Sequence, residues 1–318
     1  MESDMVNVLA DRQRSALSRL ADAESLINEL ILGKQEVVRL CLTCILARGH
    51  LLIEDHPGVG KTTLAHSLAR VLGLAFNRIQ FTSDMLPADV IGVSVYDSER
   101  AGFKFHQGPL FKEVVLADEI NRASPRAQSA LLEAMEEHQV SVDGHSYDLP
   151  TPFFVIATQN PHEQSGTFPL PESQLDRFMM TLSIGFPSRV FEQALLKGDD
   201  RTTLLRELEA VLDANEVIEL QRQAEGVFAS DALTGYVLDL VEASRNLTWI
   251  DNGLSPRAGL ALLRAARAFT LLDNRDAVLP EDVQAVAPAI IGHRLAQGLA
   301  SAERDALTRR LIESVAVD

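Results

Sequence analysis

His50-Leu51-Leu52-Ile53-Glu54-Asp55-His56-Pro57-Gly58-Val59-Gly60-Lys61-Thr62-Thr63 runs from a short apolar segment through a Pro/Gly turn into a helical pattern that continues to Leu72. His50–Glu54 reads as a strand and Lys61–Leu72 as a helix, joined by a glycine-containing loop. Such a loop presents backbone N–H groups and the positive end of the helix dipole to a phosphate. Lys61 adds a point charge within reach of β and γ phosphates, and Thr62 offers a hydroxyl to Mg²⁺. The spacing G-x-x-x-x-G-K-[ST] is met except at its first position, where Asp55 stands in place of glycine. Pro57, Gly58, Val59, Gly60, Lys61, Thr62 and Thr63 are the expected nucleotide contacts.

Working outward, Val114-Val115-Leu116-Ala117 is an apolar run that ends in Asp118 and Glu119. In an open parallel sheet, ligands bind beyond the carboxyl ends of the strands, so both acids fall beside the phosphate loop. Asp118 suits a Mg²⁺ site, directly or through water, and Glu119 suits the polarisation of an attacking water. Phe153–Ala157 is a further strand candidate, and Asn160 just beyond it places a neutral amide near the γ phosphate. Segments 76–81 and 180–184 complete a set of five buried strands alternating with helices, which predicts an α/β fold with a five-stranded parallel sheet. Two hairpins interrupt it. One has Val93, Val95, Phe103 and Phe105 at alternating positions around a turn at 97–102, and the other turns at Asp143-Gly144. After Pro187 the strand signals fade, and helices are expected around 190–197, 215–223, 230–244, 256–272 and 280–291. The expected division is 1–188 for N-terminal helices plus the nucleotide-binding core and 189–318 for a smaller all-helical domain.

The composition bounds the partners. The chain has 318 residues with 29 Lys+Arg against 45 Asp+Glu, a formal net charge of −16. A general nucleic-acid binder carries the opposite sign, because phosphate neutralisation supplies most non-specific affinity. One Trp and three Tyr also leave few stacking platforms for single strands. Met1–Arg14 carries no leader pattern, and the longest nearly apolar stretch, Leu40–Ala47, falls short of a membrane span, so a cytoplasmic location is expected. Cys41 and Cys44 share a helical face with Val37, Val38 and Ile45 and read as core. His56 reads as loop filler. Leu131, Leu132 and Met135 form the core stripe of a helix over 125–138, with Glu133, Glu136 and Glu137 on its solvated face.

Together, HPGVGKTT, VVLADEINRASPRAQSALLEAMEE, FFVIATQNP, LPESQLDRF and LSPRAGLALLRAARA resemble the MoxR family of AAA+ ATPases, in the clade with a hairpin insert in its second helix, over about residues 25–295. The resemblance implies an AAA+ P-loop core followed by a helical lid. It also implies ATP and Mg²⁺ as ligands, a homo-oligomeric, hexameric ring, and chaperone work on a protein complex, commonly with a von Willebrand factor A domain partner. Lys61 and Thr62 would belong to Walker A, Asp118 and Glu119 to Walker B, and Asn160 to sensor 1. Arg177 would be the arginine finger for a neighbouring subunit, and Arg257 a sensor 2 acting on its own subunit's γ phosphate. Arg122 is a second candidate for a subunit boundary. A DNA-acting motor and a nucleotide-gated scaffold with little turnover are the alternatives. The acidic composition weighs against the first, and the intact Lys61, Asp118, Glu119 set against the second.

Overall fold

The structure is a computed structural model that describes residues 2–99, 102–160, 166–197, 201–250, 253–296, 299 and 301–317. Helices α1 (Glu2–Leu30) and α2 (Gln35–Leu46) lead into β1 (Leu51–Glu54) and, through the glycine loop, α3 (Lys61–Val71). β2 (Phe76–Gln80) and the short α4 (Pro87–Ile91) precede an antiparallel hairpin of β3 (Gly92–Asp97) and β4 (Gly102–Gln107). β5 (Val114–Asp118) is followed by a turn of 3-10 helix and by α5 (Pro125–Glu137). The second hairpin, β6 (Gln139–Val142) and β7 (His145–Asp148), comes next, then β8 (Phe154–Gln159), α6 (Glu172–Leu175) and β9 (Met180–Leu182). The remaining elements are helices: α7 (Arg189–Lys197), α8 (Arg201–Glu207), α9 (Ala214–Gly226), α10 (Asp231–Asn246), α11 (Pro256–Leu272), α12 (Pro280–Leu295) and α13 (Ser301–Glu313).

The central sheet has the order β2-β5-β8-β1-β9, and every pairing in it is parallel. The continuous apolar runs are explained by burial on both faces. Leu51, Ile53, Val114, Leu116, Phe154 and Ile156 pack into an apolar cluster shared with α1, α2, α3 and the helices from α9 onward. Leu52, Val115, Ala117, Val155 and Ala157 alternate to the opposite face, over α5 and the base of both hairpins. Cys41 and Cys44 are wholly buried on α2, and burial pushes the Cys41 thiol up to about 12, so both behave as core groups.

The hairpin register adds the facing that alternation alone left open. Val93 lies opposite His106 and Val95 opposite Lys104, whereas Tyr96 lies opposite Phe103 and Ser94 opposite Phe105. The valines and the phenylalanines therefore occupy opposite faces of the ribbon, because partners directly across an antiparallel pair share a face. Residues 100 and 101 of the expected turn lie outside the described residues. α8 and α13 were not anticipated. α13 carries little apolar periodicity; it is held by Leu311, wholly buried in the main apolar cluster, by Arg304 pairing with Glu54 and by the Arg310 guanidinium 4.3 Å over the Trp249 ring.

Candidate active site

The parallel registers bring four strand ends to one level: Glu54 is paired with Gln159, Gln80 with Asp118, and Ala117 with Ala157. At that level lies a cavity of about 380 Å³ lined by Pro57, Gly58, Gly60, Lys61, Thr62, Thr63, Arg78, Gln80, Asp118, Glu119 and Asn160. Of the expected contacts, Val59 is the exception; it packs against the apolar cluster and does not line the cavity. Gly58 and Gly60 have φ of +82° and +97°, with nothing within 4 Å of an added Cβ. Backbone handedness, rather than crowding, is what calls for glycine at these two positions. Gly60 caps α3 at its N-terminus, so the free N–H groups of the first turn open into the cavity.

Asp55, the departure from the usual loop sequence, is buried and fully engaged. One carboxylate oxygen accepts from the His56 N–H at 2.8 Å. The other accepts from Gly185 N–H at 2.6 Å and Ser183 Oγ at 3.1 Å. Its carbonyl accepts from Lys61 Nζ at 2.6 Å. Burial lowers the Lys61 pKa, opposed by the negative charges of Asp55, Asp118 and Glu119. His56 stacks on Phe186 with ring centroids 5.6 Å apart, so it too ties the loop to the segment after β9.

Asp118 and Glu119 are held by Arg78, Thr158 and Gln80, which the sequence reading did not single out, and by Arg122, which it placed at a subunit boundary. Arg78 donates through Nε and Nη2 to Asp118 Oδ2 at 3.0 and 2.7 Å, and Thr158 Oγ1 donates to Oδ1 at 2.5 Å. Glu119 accepts from Gln80 Nε2 at 2.9 Å and pairs with Arg122 at 2.9 Å. Its backbone is left-handed, with φ 56° and ψ 49°, and its N–H donates to Thr158 Oγ1 at 2.9 Å. A non-glycine residue in this region costs about 1 kcal/mol and marks a position fixed by its surroundings. The signal for Arg78 and Gln80 was present in the sequence. Two polar residues alternate on β2 as it nears its carboxyl end, which aims both side chains the same way.

Arg177 and Arg257 do not line this cavity. They line a second one of about 390 Å³, together with Arg48, Glu136, Asp176, Arg264 and Arg294. Glu136 accepts from both, pairing with Arg177 at 3.0 Å and also with Arg257. The Arg257 hydrogen bond, followed by the positive charges of Arg257 and Arg177, holds the Glu136 carboxyl below the usual carboxylate range. In this arrangement α11 places Arg257, expected to act on its own subunit's γ phosphate, at the face that bears Arg177 and outside the phosphate cavity.

Residues 50–180 match the model of the ATPase family associated with various cellular activities (AAA), and residues 242–315 match the AAA lid domain. The protein YeaC of Bacillus subtilis is 47% identical over 87% of this chain and 86% of its own length. The chaperone MoxR1 of Mycobacterium tuberculosis is 40% identical over 85% of this chain and 73% of its own length. Among solved structures, a protein of Cytophaga hutchinsonii assigned as an ATPase superposes with a TM-score of 0.87 at 32% identity, over 99% of both chains.

Proposed function

We propose, from the premise that this chain belongs to the MoxR family of AAA ATPases, that it hydrolyses ATP where two subunits of a ring meet and uses the cycle for chaperone work on another protein. The observation that carries the inter-subunit part is the separation of the site into two halves. Lys61, Thr62, Asp118, Glu119 and Asn160 share one cavity, while Arg177 and Arg257 line another. A second copy can close the first half with the arginines of the other.

The residues present fit ATP and Mg²⁺. The left-handed glycines leave the loop open, and a hydroxyl and a carboxylate converge at its helical end. Thr62 and Asp118 would hold Mg²⁺, which when bound neutralises phosphate charge. Lys61 and the first turn of α3 bind the phosphates. Glu119 orients a water for in-line attack on the γ phosphorus and takes its proton as the bond to the ADP oxygen breaks, and Asn160 holds the same water and phosphate without adding charge. Gln80 and Arg122 both engage Oε2 of Glu119, which orients the carboxylate and leaves Oε1 to take the proton of the water. Arg177 and Arg257, being always charged and planar, stabilise the charge on the transferring phosphoryl group of the neighbour.

The same reading makes the ring a hexamer of 1–188 cores and 189–318 lids, in the cytoplasm. A von Willebrand factor A domain protein is its companion by family resemblance. Among the described residues no helix is long and apolar enough to cross a membrane. The deciding experiment mixes Arg177→Ala with Lys61→Ala. Each variant alone is inactive, and the mixture regains ATPase activity because one interface in it pairs an intact loop with an intact finger. No recovery on mixing would overturn the inter-subunit site. Partners captured on Glu119→Gln held in ATP would identify the client. Stimulation of turnover by DNA, rather than by a protein, would favour the motor reading.

A further inference from the structure

We propose that Arg294, on α12, is a positioning residue for the arginine face: it locks the backbone on both sides of Arg177 to the helical region, so that lid and finger move as one body. The proposal deepens the inter-subunit reading and rests on it. The Arg294 side chain is 7% exposed, and its five N–H groups match five acceptors. Nε donates to Asp176 Oδ1 at 2.7 Å. Nη2 donates to the carbonyls of Phe178 at 2.8 Å and Asp176 at 3.2 Å, and Nη1 to those of Met179 at 3.1 Å and Ile290. Three of the carbonyls thus belong to the segment that carries Arg177, and none of these bonds involves Arg177 itself.

Asp176 extends the clamp. Its Oδ2 accepts from Ser255 Oγ at 3.4 Å, the residue that caps α11 two positions before Arg257. Arg177 from the core and Arg257 from the helical region are therefore braced to one carboxylate neighbourhood, with Arg294 and Ser255 on Asp176 and both arginines on Glu136. A buried guanidinium is costly unless every donor is met, and only a planar fork can meet this many acceptors at once. The geometry is that of a joint. A shift of α12 is delivered to the finger that serves the next subunit.

The test is complementation, which a merely structural role would not reproduce. Arg294→Gln is expected to lower kcat at least tenfold while nucleotide Kd stays within twofold, because its own phosphate cavity is intact. Mixed with Lys61→Ala it regains activity, since that partner supplies a sound arginine face. Mixed with Arg177→Ala it does not, since both are defective on the same face. Arg294→Lys, which retains charge but not the fork, falls between parent and Gln, and it replaces Gln in the same mixtures if Gln lowers the melting temperature too far to assemble. A kcat within twofold of the parent, failure to complement Lys61→Ala, or recovery with Arg177→Ala would each overturn the positioning role. If Arg177→Ala and Lys61→Ala themselves fail to complement, the inter-subunit site is wrong and the positioning role falls with it.

Discussion

Asp118 and Glu119 are adjacent in the chain, yet different hands hold them: an arginine fork and a buried threonine on the first, a glutamine and an arginine on the second. That division separates binding from turnover. Lys61→Ala is expected to abolish binding of a fluorescent ATP analogue, whereas Glu119→Gln binds it within a few-fold of the parent and loses turnover by about a hundredfold or more. His50 supports a different measurement. It is buried; its Nδ1 accepts from Val155 N–H at 3.1 Å, which leaves the proton on Nε2 to donate to the Met135 carbonyl at 3.1 Å. Burial lowers its pKa to about 4. The folded chain therefore excludes a proton that the unfolded chain accepts near 6.5. Stability is fully present above that value, declines as pH falls through the window from 6.5 to 4, and has dropped by roughly 2 kcal/mol at pH 5 on this account alone. Urea unfolding at pH 7.5 and pH 5 checks this, and His50→Gln should flatten part of the difference. Lys61, Thr62, Asp118, Glu119 and Asn160 were legible in the sequence because each follows an apolar run at the end of a strand. Asp176 and Arg294, 118 positions apart, carried no local pattern that could have joined them.

At the scale of elements, β1, β5 and β8 were legible because inner strands covered on both faces demand unbroken apolar runs, whereas β2, at the sheet edge, is half polar and mostly not buried, contrary to the expectation of a buried strand. The β3–β4 hairpin was legible as a hairpin but not in its facing, since alternation gives the period of a ribbon and leaves its register to the turn. The difference matters for Phe103 and Phe105. Phe105 stacks on Tyr147 of β7 with centroids 4.0 Å apart and meets Phe111 edge-on at 5.7 Å, so it pins one hairpin to the other. Phe103 is 76% exposed and touches Tyr96 across the strand pair. Phe105→Ser should cost about 1–3 kcal/mol in thermal or urea unfolding and open residues 92–107 to proteolysis. Phe103→Ser should leave both unchanged. If the exposed tip of the ribbon touches a protein client, Phe103→Ser alone abolishes that binding while basal ATPase persists.

For the whole molecule, an arginine-lined cavity on a chain of net charge −16 is a local reversal of sign, suited to meeting the phosphates held by a second copy. Specific activity should therefore rise with protein concentration until assembly is complete, with light scattering tracking the same curve. Arg177→Ala should lower turnover by about a thousandfold at every concentration, on the scale of arginine fingers elsewhere. Activity per subunit that is flat from nanomolar to micromolar concentrations would contradict assembly at the site. The change from strands to helices could be read from where strand signals fade after Pro187; the last strand of the central sheet ends at Leu182. That both regions share an apolar cluster with α1 and α2 could not, because it depends on contacts between helices far apart in sequence. Asp55 gives this joined body a mechanical property. One carboxylate oxygen holds the phosphate loop at His56, and the other holds Ser183 and Gly185, about 130 residues further along the chain. The side chain is a strut between the nucleotide cradle and the segment that leads from β9 to the helices. A displacement of Ser183 or Gly185 therefore has a direct route to the loop, through one carboxylate, that does not pass through the sheet.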